Sequence, residues 1–177
     1  MRKIKNEELG RLTVDEFKSV EKLPVIIILD NVRSLHNIGS VFRSADSFLV
    51  EAIYLCGISA RPPHREMEKT ALGATESVTW RYFENTVAAV EELKNQGYRI
   101  VAIEQAEGGI RLDQFNPVYP KYAFVFGHEI NGVGEEVMKL ADEAVEIPQF
   151  GTKHSLNIAV CAGIVLWEAS KKLKPGH

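Results

Sequence analysis

The feature that most constrains this chain is the run Val25-Ile26-Ile27-Ile28-Leu29. Five apolar residues in succession, mostly β-branched, leave no polar face, so a strand made from them must be covered on both sides. Parallel sheets meet that demand by laying crossover helices over both faces. The rest of the chain supplies the alternation. Residues 52–56, 78–82, 99–103, 122–126 and 143–147 read as further strands. Between them fall helical patterns. One places Ile38, Val41, Phe42, Ala45 and Phe48 on its apolar side, after a polar loop over 31–40. Another runs over 86–96, with Val87, Val90 and Leu93 inward and Gly97 as its stop. A short helix is predicted at 136–141. A long one is predicted over 155–173, with Lys171, Lys172 and Lys174 at the end where cations suit the helix dipole. Residues 57–76, centred on Pro62-Pro63, read as loop. The predicted fold class is therefore α/β, a parallel-type sheet with helices on both faces. Residues 1–23 read as a short N-terminal extension, with Thr13 as N-cap and Leu9, Leu12, Phe17 and Val20 as a loose helical face ended by Pro24; residues 24–177 form the main domain.

Composition narrows the function. The 177 residues suit one domain that needs no disulfide or metal to stand. Lys+Arg is 21 against 24 Asp+Glu, so any nucleic-acid site is a local patch and not a basic coat. Cys56 and Cys161 sit in apolar runs and read as buried thiols of a reducing compartment. No stretch reaches eighteen apolar residues, and the start of the chain has no apolar signal core, so a cytoplasmic protein without a membrane span is expected. The five histidines show no ligand spacing, and no metal site is expected.

In a parallel sheet, ligands bind outside the carboxyl ends of strands. Three strand-end loops are chemically loaded. The first, 31–43, places Asn37 at or near a helix N-cap, Gly39 where backbone comes close, and Arg43 six residues past Asn37, on what reads as a shared side. The second, 124–134, crowds Gly127, His128, Glu129, Gly132 and Gly134 at a strand end, yet is neither a P-loop nor a dinucleotide fingerprint. The third, 147–160, enters its helix through Ser155-Leu156-Asn157. Ser155 reads as the N-cap and Asn157 as a buried amide that needs partners.

Together, Asn37-x-Gly39-x-x-x-Arg43, Gly127-x-Glu129-x-x-Gly132 and Ile147-Pro148…Ser155-Leu156-Asn157 resemble the three motifs of the SpoU/TrmH family. These are S-adenosylmethionine-dependent RNA ribose 2′-O-methyltransferases of the SPOUT class. The resemblance covers residues 24–172, with all three motifs in order. It implies a C-terminal trefoil knot, which periodicity alone never suggests. It implies donor contacts by Gly127, Ile147 and Leu156, largely through backbone, with Glu104 and Gln105 closing over the donor. Gln149 stands where the family often has Met, a mild departure at a backbone contact.

The resemblance further assigns Arg43 to the ribose hydroxyl, as base or as the group that holds phosphate and orients the ribose; arginine keeps its proton at ordinary pH. Asn37 positions Arg43 or the RNA, and Glu129, Ser155 and Asn157 organise the pocket. No metal is needed. The family implies a homodimer with the site near its interface, for which the long helix offers Ile158, Val160, Ile164, Val165 and Trp167. Arg33, Arg61, Arg65 and Lys153 are the candidate RNA contacts, in loops expected to open on the same side as the site. The extension is shorter than a separate RNA-binding domain, which favours tRNA over ribosomal RNA as substrate. The competing readings are the same reaction on ribosomal RNA and a catalytically silent RNA-binding protein on this fold. A flavodoxin-like nucleotide site is disfavoured, because the first strand leads into Asn31-Val32-Arg33 and not a phosphate-binding turn.

Overall fold

The computed structural model describes residues 1–173, so Lys174 of the predicted helix end lies outside the described residues. A 3-10 turn, Asn6–Leu9, and helix α1, Val14–Ser19, lead into β1, Leu23–Asp30. Then follow α2 (Leu35–Ser47), β2 (Val50–Cys56), α3 (Arg65–Ala71), α4 (Ala74–Ser77), β3 (Trp80–Phe83), α5 (Thr86–Asn95) and β4 (Arg99–Ile103). The chain continues with β5 (Ile110–Arg111), β6 (Tyr122–Phe126), α6 (Glu135–Leu140), β7 (Glu143–Glu146) and α7 (Ile158–Lys172).

The strands form one sheet in the order β3-β2-β1-β6-β4-β7-β5, with every pair parallel. β1 lies inside it, between β2 and β6, which is why its sequence is apolar throughout. Its side chains alternate between two cores. Val25, Ile27 and Leu29 pack under α2, α3 and α7, while Ile26 and Ile28 pack under α5 and α6. The predicted α/β class with helices on both faces is what forms.

Several boundaries differ from the sequence reading. Helix α2 starts at Leu35 because Ser34 caps it, its hydroxyl accepting from Asn37 N at 3.2 Å. Asn37 therefore lies in the first turn and is not the cap. Residues 57–76 are not mostly loop, since α3 and α4 lie in them, separated by Leu72 and Gly73 in the left-handed region. Gly39 is needed there. A Cβ on it would stand 2.2 Å from Met67 O, so its absence lets α3 press against α2. The third strand starts at Trp80 rather than Val78, and the two-residue β5 had no sequence signal. Of the apolar residues expected to face inward in the extension, Phe17 is buried while Leu9 and Leu12 are exposed; Thr13 does cap α1, in a reciprocal pair with Glu16. Finally, α7 begins at Ile158 under Asn157, and Ser155 is not its cap. Cys56 is buried as expected, and Cys161 is partly so.

Because the strands are parallel, all their carboxyl ends meet at one edge. The loops after β1, β4, β6 and β7 gather there.

Candidate active site

A cavity of about 580 Å³ opens at this edge, between the ends of β4, β6 and β7 and the entry to α7. Its lining includes Gln105, Gly127, Glu129, Ile147, Ser155 and Leu156, from all three of the later loops. Its size is that of a small-molecule site.

The loop after β6 doubles back on itself. His128 and Gly132 exchange backbone hydrogen bonds at 2.9 Å each way, and the His128 Nδ1 accepts from Ile130 N at 3.1 Å and Asn131 N at 3.3 Å. This fold-back decides two glycines. A Cβ on Gly127 would fall 2.0 Å from the carbonyl carbon of Gly132 and 2.2 Å from Val133 N. Gly132 has φ +67°, and a Cβ there would fall 2.2 Å from the Glu104 carboxylate. Glu104 is thus more than a closing loop residue. It accepts from Val133 N at 3.1 Å and Gln105 N at 3.0 Å, and so pins the loop after β4 to the loop after β6. Gln105 in turn donates to the His154 carbonyl at 3.0 Å, reaching the third loop across the cavity.

A second chain of contacts ties the loops after β1 and β6 to α7. The Glu129 carboxylate accepts from Ser34 N at 3.0 Å, Arg33 N at 3.1 Å and the Asn37 amide at 3.3 Å. Asn37 Oδ1 accepts from the Asn157 amide at 3.1 Å, and Asn157 Oδ1 caps α7 through Ala159 N and Val160 N. Partial burial pushes Glu129 toward protonation, but the Ser34 and Arg33 amides and Asn37 outweigh it and hold the carboxyl below its usual range. The same burial pushes the Cys161 thiol, which lines the cavity, up to about 12, with Glu104 adding to the shift. Asp30, at the end of β1, anchors the frame: buried, it accepts from Gly134 N at 2.8 Å, from Asn31, and from Thr86.

The predicted site residues divide accordingly. Glu104, Gln105, Gly127, Glu129, Ile147, Ser155, Leu156 and Asn157 line the cavity together. Asn37 joins them through Glu129 and Asn157. Asn157 is exposed, not buried, although its amide donates to Asn37 and accepts from Ala159 N and Val160 N. Ser155 is exposed on the rim. Arg43 stands apart from the cavity lining and does not share a side with Asn37: six helical residues turn about 600°, which leaves the two well off the same line. It is exposed on α2. Arg33, Arg61, Arg65 and Lys153 are all exposed; Arg33, Arg61 and Lys153 lie in carboxyl-edge loops, and Arg65 opens α3 after the loop that follows β2. Sequence reasoning missed Asp30, Ser34 and the anchoring role of Glu104. An acidic residue closing an apolar strand was the available signal for the first. Among the described residues no group of His, Cys, Asp or Glu could hold a metal ion.

The cavity fits S-adenosylmethionine on its own features. Its lining combines the bare backbone of Gly127, the apolar residues Ile103, Ile147 and Ile158, and the carboxylate and amide residues Glu129 and Gln105. Such a lining accepts an adenosine ring, its hydroxyls and a charged amino-acid end.

Fold and cavity together define a class, the SPOUT-type α/β domain built around a methyl-donor site. A model described as the SpoU rRNA Methylase family matches residues 24–167, and the chain belongs to that family. A tRNA (guanosine(18)-2′-O)-methyltransferase of Aquifex aeolicus is 31% identical over 84% of this chain and 69% of its own length. The 23S rRNA (guanosine-2′-O-)-methyltransferase RlmB of Neisseria meningitidis is 30% identical over 89% of this chain and 62% of its own length, so the chain spans under two thirds of that relative. The crystal structure of the A. aeolicus TrmH/SpoU tRNA modifying enzyme superposes with a TM-score of 0.79 at 28% identity, covering 90% of this chain and 80% of that one. An AdoMet-bound rRNA methyltransferase from Sinorhizobium meliloti does so with 0.79 at 25% identity, covering 88% and 59%.

Proposed function

We propose that this protein transfers a methyl group from S-adenosylmethionine to a ribose 2′-hydroxyl of RNA, with tRNA as the first substrate to test. The observation that carries this reading is the continuous chain Glu129–Asn37–Asn157, which locks three family motifs around one cavity of donor size. Its retention also weighs against a silent RNA-binding protein, which has no need of it. Relatives acting on tRNA and on ribosomal RNA match about equally well, so ribosomal RNA is the second arm of the test.

The bound donor supplies an electrophilic methyl group on a sulfonium. Backbone at Gly127, Ile147 and Leu156 seats the adenosine and methionine parts. Asn157 and Glu129 would hold the rim in register for a ribose hydroxyl oxygen to take the methyl group as the C–S bond breaks, the hydroxyl proton passing to water at the exposed rim. Arg43 binds phosphate and orients the ribose. Arg33, Arg65 and Lys153 hold the RNA backbone nearby.

Arg43 does not line the cavity of its own chain, and this supports a homodimer in which the site is completed across the interface. The face for it is narrower than the sequence suggested. Ile158 and Val165 are buried within the chain, leaving Val160, Ile164 and Trp167 exposed along one side of α7. The reading also includes the trefoil knot, supported by the insertion of β6 between β1 and β4 and the return of α7 onto α2. It includes a cytoplasmic setting, supported by two free thiols; among the described residues no helix is long and apolar enough to cross a membrane.

The test is transfer of a labelled methyl group from S-adenosylmethionine to small RNA and, separately, to ribosomal RNA, each from cells lacking this protein. The expected product is an alkali-resistant 2′-O-methyl dinucleotide from one pool. Absence of both incorporation and donor binding would overturn the enzyme reading.

A further inference from the structure

Two arginines lie on aromatic rings at the β3 edge of the sheet, and they differ in one respect. Arg81 sits over Tyr54 and Phe83, 5.2 and 4.8 Å from the ring centres, and is paired with the Glu92 carboxylate. Its charge is spent within the fold. Arg61 lies 4.4 Å over the Tyr82 ring, is exposed, and makes no ion pair or side-chain hydrogen bond among the described residues. The floor beneath it is fixed, because the Tyr82 hydroxyl donates to Gly57 O at 3.0 Å. Pro62 follows Arg61 and restricts its backbone to extended conformations. A planar cation thus sits over a fixed ring in an exposed position.

The position bears on the site. Arg61 lies in the loop after β2, and that loop is stitched to the loop after β1. Ser59 Oγ accepts from Val32 N at 2.9 Å, and Ile58 N donates to Asn31 Oδ1 at 3.2 Å. The next residues, Arg33 and Ser34, are those held by Glu129 at the cavity. From β3 to β6 is three strand spacings, about 14 Å, which a few nucleotides of single-stranded RNA span.

We propose that Arg61, backed by Tyr82, is a stacking platform for one unpaired nucleobase of the RNA near the reacting nucleotide. The guanidinium plane receives the base on its open face, as stacked bases are received by arginine in single-strand recognition. This rests on the RNA reading above, and it adds that part of the affinity comes from a base and not from phosphate. Lysine keeps the charge but has no plane, so Arg61→Lys separates the two contributions.

The experiment measures binding of a short fluorescein-labelled single-stranded RNA and of its abasic counterpart, which keeps the phosphates and lacks bases. The wild-type protein is expected to favour the base-bearing strand about tenfold. Arg61→Lys and Tyr82→Leu are expected to lose that preference, while binding the abasic strand and S-adenosylmethionine as the wild type does. If Arg61→Lys keeps the preference, or if the wild type binds both strands alike, the platform is refuted while the RNA reading stands. If the wild type binds neither strand and methylates no RNA pool, both fall together.

Discussion

Gly127→Ala tests the fold-back at the cavity most directly. Gly127 does not occupy the left-handed region, so its backbone would accept alanine; only space forbids it. The added Cβ would meet three backbone atoms at 2.0 to 2.3 Å, none of which can swing away. Relief requires moving residues 128–133 by more than 1 Å, about the gap to ordinary contact. That displacement breaks the reciprocal His128–Gly132 pair and the Val133–Glu104 bond. At about 1 kcal/mol per net hydrogen bond, the loss is about 3 kcal/mol. For a chain of this size that lowers the melting temperature by roughly 6–12 °C. Donor affinity should fall with it, because Gly127 lines the cavity. Gly151 is the internal control: a Cβ there meets nothing within 4 Å, so Gly151→Ala should leave both quantities unchanged. Thermal melts with and without S-adenosylmethionine, together with calorimetric titration, read both effects. The reasoning fails if Gly127→Ala melts within about 2 °C of wild type, or if Gly151→Ala falls as far.

Arg43→Ala should abolish methyl transfer while calorimetry still finds donor binding near the wild-type value; a variant that keeps most of its activity would remove Arg43 from the reaction. The carboxyl of Glu129 is held below its usual range in the folded protein, so its contribution is present above the usual glutamate pKa and is lost as pH falls through the lowered value. Glu129→Gln should therefore cost about 1 kcal/mol at pH 7, read as a melting-temperature difference that narrows on acidification as the Glu129 carboxyl takes up its proton. Ile164→Glu, on the exposed side of α7, should convert a dimer to a monomer in sedimentation velocity; a monomeric wild type would refute the interface.

The legible parts of this fold were those whose burial is written locally. Strands β1, β4 and β6 are each built on an unbroken apolar run, 25–29, 100–103 and 122–126, and α5 announces itself by period and by Gly97. Strand β5 has only Ile110 and Arg111 and exists as a partner for β7, so nothing local marks it. Helices α3 and α4 hid behind Pro62-Pro63, and their junction rests on Leu72 in a conformation that sequence does not favour. At α7 the sequence pointed to Ser155 as the cap and to Asn157 only as an amide in need of partners. The structure selects Asn157, whose amide also reaches Asn37 across 120 residues. That pairing shows why the site was only half legible: motif order pointed to the right residues, while their bonding depended on contacts between distant segments. Arg43 is a different case: six residues at about 100° each already set it off the line of Asn37, which the sequence reading overlooked.

The place of β6 has a consequence for how the protein comes into being on the ribosome. β1 is finished at Asp30, but one of its two neighbours begins only at Tyr122. At cellular rates of synthesis, roughly 5–20 s separate the two. During that interval the most apolar strand of the chain presents an open edge, the kind of surface on which nascent chains associate wrongly. The cavity arrives later still, once residues 147–158 have emerged. The site is therefore acquired late in synthesis, and a chaperone that shields β1 would act well before there is any site to protect.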